Sequence, residues 1–160
     1  MNEDQSAILA RLQRFSEAYE RKDVAGVMAT FSQTTDATVV VGSICDEPIV
    51  GLDAIRERLE VEFTTTDTLN TRTKWMSLNV VGTAGWVTSV SEVINRAAAE
   101  SMTNRLTAVL VKEPQGWFIA HLHVSFPLPD RKIKSFQTRS APLLENTRAQ
   151  IQYSPCSERK

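Results

Sequence analysis

The sequence predicts an α+β domain in which three N-terminal helices pack against a curved antiparallel sheet made of one short strand and a four-strand meander. Three observations carry that prediction. Apolar residues recur at helical spacing in the first third of the chain, the pattern changes to period two from Lys74, and the alternating segments are joined by short turn-forming stretches. Helices first and strands after is the order expected when helices cover one face of a sheet rather than alternate with its strands.

Each element follows in turn. Ile8, Leu9, Leu12, Phe15 and Tyr19 mark one side of a first helix, with Asp4 or Ser6 as its expected cap. Asp23 offers a second cap, ahead of Val24, Val27, Met28 and Phe31 in a short second helix. "DATVVVG", residues 36–42, is a compact β-branched strand, "SICDEP" reads as a loop, and "GLDAIRERLEVEF" is a third helix with Ile55, Leu59 and Phe63 along one face. The meander then runs through "KWMSLNVV", the turn "GTAG", "WVTSVSEVIN", a small-residue loop "RAAAES", "MTNRLTAVLVK", the turn "EPQG" and "WFIAHLHVSFP". Residues 1–127 are thus expected to form the domain. Residues 128–160, polar and carrying three prolines, read as an extension with a short helix near 143–151.

Composition narrows the partners. The chain has 160 residues, 42% hydrophobic and 23% charged, with 18 basic against 19 acidic side chains, so it lacks the basic footprint that nucleic acid or an anionic membrane would require. No basic segment followed by an apolar run opens the chain, and no apolar stretch approaches the ~20 residues of a membrane span. A cytoplasmic location is expected. Cys45 and Cys156 match no metal or redox spacing, and Cys45 has no neighbour that would activate it as a nucleophile. Glycine-rich phosphate loops, nucleophile elbows and metalloprotease motifs are absent, so no cofactor is expected.

The two histidines of the chain, His121 and His123, stand in the last strand. Strict alternation puts Trp117, Ile119, His121, His123 and Ser125 on a mixed face, suited to a pocket, and Phe118, Ala120, Leu122, Val124 and Phe126 on an apolar outer face. A second copy covering that outer face, sheet against sheet, would make a homodimer. If "EPQG" closes a tight hairpin, Lys112 lies opposite Trp117, Ala108 opposite His121 and Leu106 opposite His123. If "GTAG" closes likewise, Val81 faces Trp86, Ser77 faces Val90 and Trp75 faces Glu92. The middle hairpin admits Glu92 opposite Leu106, or opposite Arg105 after a slip of one residue. In the first register Trp75, Glu92, Leu106 and His123 form one row. Glu92 and His123 would then be about 10 Å apart at the backbone, close enough to meet over Leu106.

Several roles are open to these residues. The histidines can be hydrogen-bonded structural groups, acid–base groups that titrate near neutrality, or two ligands of a metal needing a third, for which Glu92 is the candidate. Glu92 can instead pair with Arg105 or Arg96 in a solvated ion pair. The candidate catalytic pair is His123 with Glu92, shuttling a proton. The candidate substrate wall is Phe15, Tyr19, Trp75, Leu106, Ala108 and His121, around a small apolar or carbonyl-bearing molecule. Tyr19 can equally be core, and Asp46 and Glu47 read as loop charges.

Two stretches, "EPIVGLDAIRERL" and "GWFIAHLHVS", together with the order of helices and strands, resemble the SnoaL-like families of the nuclear transport factor 2-like superfamily. The second stretch is also similar to the association domain of calcium/calmodulin-dependent protein kinase. The resemblance spans about residues 5–127. It implies a cone of curved sheet closed by helices, a pocket at the wide end and a homodimer, but no particular reaction, because the superfamily includes isomerases, cyclases, dehydratases and non-catalytic modules. Against ketosteroid isomerase within it, "LQRFSEAYERKDVAGVMATFSQTTDATVVVG" matches the first helices and strand. Phe15 stands where that enzyme has its oxyanion tyrosine, and Val41 or Gly42 where it has its catalytic aspartate. Asp46 substitutes only if its loop turns inward. The resemblance therefore implies the fold without the isomerase's proton-transfer residues.

Overall fold

The computed structural model describes residues 1–34, 38–42, 48–95 and 97–127. The expected C-terminal helix, Cys45, Asp46, Glu47 and Arg96 lie outside the described residues. Helix α1 (Glu3–Glu20) is followed by α2 (Val24–Met28), the short strands β1 (Val39–Val41) and β2 (Ile49–Val50), α3 (Leu52–Thr65), and the long strands β3 (Leu69–Val81), β4 (Ala84–Asn95), β5 (Glu100–Glu113) and β6 (Gly116–Ser125).

The cap of α1 differs from expectation. Asn2, not Asp4 or Ser6, accepts the Gln5 backbone N–H while the Gln5 side chain accepts from the Asn2 N–H, forming a capping box. Asp4 is thereby left to reach the sheet, where its Oδ1 accepts from Lys112 Nζ at 2.6 Å and Trp117 Nε1 at 3.0 Å. Those two donors hold its carboxyl below the usual carboxylate range. Asp23 caps α2 as expected, accepting from the Gly26 N–H. Between the helices Lys22 takes a left-handed backbone, and its Nζ donates to the carbonyls of Phe63 and Thr66 at the end of α3. A lysine on the last carbonyls of a helix satisfies acceptors that have no partner within it.

The sheet has the order β2-β1-β6-β5-β4-β3. The four long strands form the expected antiparallel meander. The first strand adds to it in parallel, Val40 beside Leu122, so the sheet is mixed. Ile49 and Val50 form an additional strand against Val39 and Val40 that two residues of alternation were too few to signal. Two bulges bend the sheet: the register shifts between Thr73 and Trp75 on β3, and between Ile119 and His121 on β6, opposite Val109 and Leu110. The sheet curves and stays open at both edges.

The helices cover its concave side. Ile8, Val27, Phe31, Val87, Leu110, Trp117 and Ile119 are buried there together. Gly85 permits the contact, since a Cβ at that position would stand 2.5 Å from Ile8 Cδ1. Among the described residues no helix is long and apolar enough to cross a membrane.

Candidate functional site

A cavity of about 540 Å³ lies between the concave side of the sheet and the helices. That volume is in the range that encloses a small organic molecule. From α1 come Leu12, Phe15 and Tyr19, from α3 Ile55, Leu59 and Glu62, and from the sheet Val87, Leu106, Leu122, Val124 and the small polar residues Ser89, Ser91 and Asn104.

Tyr19 is clamped by aromatic neighbours, Phe15 stacked at 6.0 Å and Phe63 edge-on at 5.0 Å. Its hydroxyl donates to Glu62 Oε1, and Arg58 Nε stands 3.9 Å from the other carboxylate oxygen. Burial, and then the adjacent Glu62 carboxylate, push the Tyr19 hydroxyl well above its ordinary range, so it stays protonated as a donor. On the floor Ser91 Oγ donates to Thr73 Oγ1 at 3.4 Å. Asn104 is 8% exposed, and its Oδ1 has no hydrogen-bond partner among the described residues. A buried acceptor left in that state costs about 1–3 kcal/mol, which a ligand donor would recover.

The sequence placed Phe15, Tyr19 and Leu106 beside a pocket, and all three border this cavity. Ala108 is fully buried in the sheet opposite Leu122, in the core rather than on the cavity wall. The remaining residues stand elsewhere, for reasons that lie in the register. Trp117 does pair with Lys112, but the bulge at Ala120 then inserts one residue. Leu122 and Val124 therefore pair with Ala108 and Leu106 and face inward, and His121 and His123 pair with Val109 and Thr107 on the convex side. The two faces expected for the end of this strand are exchanged.

Trp75 and Glu92 also lie on the convex side. The first hairpin turns over two residues instead of four, so Trp86 pairs with Asn79 and Trp75 with Val90, a shift of two that exchanges no faces. The middle hairpin pairs Asn95 with Glu100, which sets Glu92 against Thr103 and puts Trp75 and Glu92 on the other face from Leu106. Neither register considered for Glu92, opposite Leu106 or Arg105, occurs. Glu92 accepts from Arg72 at 2.5 Å and lies 3.5 Å from Lys74; the Arg72 hydrogen bond holds its carboxyl below the usual range. His123 pairs with Thr107, four residues along β5 from the Thr103 partner of Glu92, or roughly 13 Å, and one strand further across. The row joining Trp75, Glu92, Leu106 and His123 does not form, and Glu92 is not positioned to complete a metal site with the histidines. Among the described residues no three His, Cys, Asp or Glu side chains cluster as metal ligands would.

Of the cavity's polar groups the sequence reading placed Tyr19 and missed Glu62, Ser89, Ser91 and Asn104. Glu62 had a legible signal, since it stands seven residues after Ile55 on the core-facing stripe of α3. Ser89 and Ser91 alternate with Val87 and Val93 on the inward face, so small polar residues on a buried period-two face were the sign to look for.

Solved structures share this architecture. A ketosteroid isomerase-like protein from Erwinia carotovora atroseptica superposes with a TM-score of 0.65 at 24% identity, over 81% of this chain and 100% of its own. A protein from Streptomyces avermitilis provisionally named a dehydratase of the nuclear transport factor 2-like family gives 0.72 at 17% identity, over 79% of this chain and 97% of its own. A domain of unknown function with a cystatin-like fold from Nostoc punctiforme gives 0.69 at 21% identity, over 88% and 90%. No curated protein matches in sequence. The model of the SnoaL-like domain matches residues 8–129, which takes in every helix and strand described above but the first turn of α1, and the chain belongs to that family.

Proposed function

We propose that this domain binds a small, largely apolar molecule in the cavity between α1, α3 and the sheet. The observation that carries the reading is the cavity itself: about 540 Å³, walled by aliphatic and aromatic side chains, with a few polar groups gathered on α3 and the floor. Leu106→Trp adds a ring to the floor and should abolish uptake of an apolar fluorophore such as N-phenyl-1-naphthylamine. The companion His123→Ala, on the convex side, should leave uptake unchanged. Fluorescence titration with thermal melts of each variant checks both; uptake undiminished in a folded Leu106→Trp protein would place the binding elsewhere.

A catalytic form of the same reading is favoured by Tyr19 and Glu62, which put a donor and a carboxylate on the wall of an apolar cavity. A carbonyl-bearing ligand there would expose its α-protons to Glu62, in cofactor-independent proton transfer of the isomerase or dehydratase kind. The two neighbours named after such enzymes are consistent with it. Glu62, rather than Glu92 or His123, is then the base.

The convex face is the surface we assign to a second copy. It carries Trp75, 54% exposed, and Trp86, 40% exposed, with Val90, Val109 and His121 between and beside them. Aromatic side chains standing clear of the core on a broad sheet are suited to sheet-on-sheet packing. Native mass spectrometry should show a dimer that Trp86→Glu converts to monomer; a wild-type protein that remains monomeric at micromolar concentration would remove this assignment.

A further inference from the structure

The concave floor changes character from row to row. One row across the sheet is Leu78, Val87, Ala108 and Leu122, and the next is Met76, Ser89, Leu106 and Val124. The third is Thr73, Ser91 and Asn104, with no apolar member. Within that row the Ser91 hydroxyl is already given to Thr73, and Asn104 Oδ1 borders the cavity without a partner among the described residues. Glu20, at the end of α1, accepts the backbone N–H of Thr71, two residues from Thr73. The end of α1 that carries Tyr19 therefore lies toward this polar row, which crosses a floor that is apolar on both sides of it, with Val93 and Leu69 beyond.

We propose that Asn104 makes this cavity selective for a ligand with an apolar body and a hydrogen-bond donor, a hydroxyl or an N–H, at the end that reaches the Thr73, Ser91 and Asn104 row. The chemistry is one of complementarity. A buried amide oxygen facing apolar space gains from a ligand O–H or N–H, which a ketone or ether of the same shape cannot supply. A site built around a buried hydrogen-bonding group discriminates far more sharply than one that senses only shape. Asn104 is thus a specificity residue, while the apolar rows supply uniform affinity. The inference rests on the cavity being a ligand-binding site.

Pairs of compounds that differ only in the donor test it: menthol against menthone, and borneol against camphor, titrated into the isotope-labelled protein and followed by NMR shifts of cavity residues. In each pair the alcohol should bind at least about tenfold more tightly than the ketone. Asn104→Leu, close in shape but without acceptor or donor, should erase that preference and leave ketone binding within about twofold. Asn104→Asp, which keeps an acceptor at the same place, should retain the preference, and it carries the test if the leucine variant does not fold. Equal binding of alcohol and ketone to the wild type, or a preference that survives Asn104→Leu, overturns the role of Asn104 and leaves the binding cavity standing. Shifts in no cavity residue with any of the four compounds overturn the binding reading and this inference with it.

Discussion

Leu122→Ala should destabilise the fold by about 2–5 kcal/mol, while His123→Ala, at the next position, should change stability by less than about 0.5 kcal/mol. Leu122 is 3% exposed, pairs with Ala108 and borders the cavity, so truncation removes contacts that the surrounding sheet cannot close over. His123 is exposed on the convex side opposite Thr107, where truncation strips little from water. Strict alternation from Trp117 predicts the reverse, with His123 inside and Leu122 outside. Chemical denaturation of the two variants therefore reads the bulge at Ala120 directly. A large loss for His123→Ala with a small one for Leu122→Ala would mean that the strand runs through Ala120 without a bulge.

Exchange of the α-protons of menthone in deuterated water should be accelerated by the wild-type protein, and Glu62→Gln should remove roughly 10²–10⁴-fold of that acceleration, the usual worth of a positioned base. Glutamine keeps an oxygen that can accept from the Tyr19 hydroxyl, so the contact between α1 and α3 is retained while the proton acceptor is lost. Tyr19→Phe should have the smaller effect, since it leaves the carboxylate and the clamp between Phe15 and Phe63 in place. Glu92→Gln should leave the rate unchanged, because its carboxylate belongs to an ion pair with Arg72 and Lys74 on the other face. Deuterium uptake followed by NMR decides the point. If the wild type binds menthone without accelerating exchange, the domain is a binding module, and Tyr19 and Glu62 serve to tie α1 to α3.

The two experiments probe opposite faces of one sheet, and they mark where local pattern ceased to suffice. Helices α1 and α3, the meander and the partner of Trp117 were readable because each rests on contacts within a few residues: apolar stripes at 3.6 spacing, alternation at two, and a tight turn at Pro114 and Gln115. Phe15 and Tyr19, on the apolar stripe of α1, could be set toward the sheet on the same grounds, whereas Leu106 was set beside a pocket through a row that does not form. Beyond the turn each register is propagated residue by residue, so one extra residue exchanges the faces for everything that follows.

Composition, periodicity and turn chemistry by themselves determined that this chain folds as helices laid on a four-strand meander, and the resemblance to the SnoaL-like families implied a pocket in it. The tertiary structure alone decided which side chains enter that cavity. The β6 bulge and the register of β4 on β5, with Asn95 opposite Glu100, depend on how the strands fit one another and the helices above them, and no local preference of Ala120 announces an inserted residue. Those two adjustments carried His121, His123, Trp75 and Glu92 to the convex face and brought Leu122, Val124 and Ser91 inward. The meeting of Tyr19 with Glu62 spans 43 positions of sequence and rests on the packing of α1 against α3, a distance over which spacing rules carry no information.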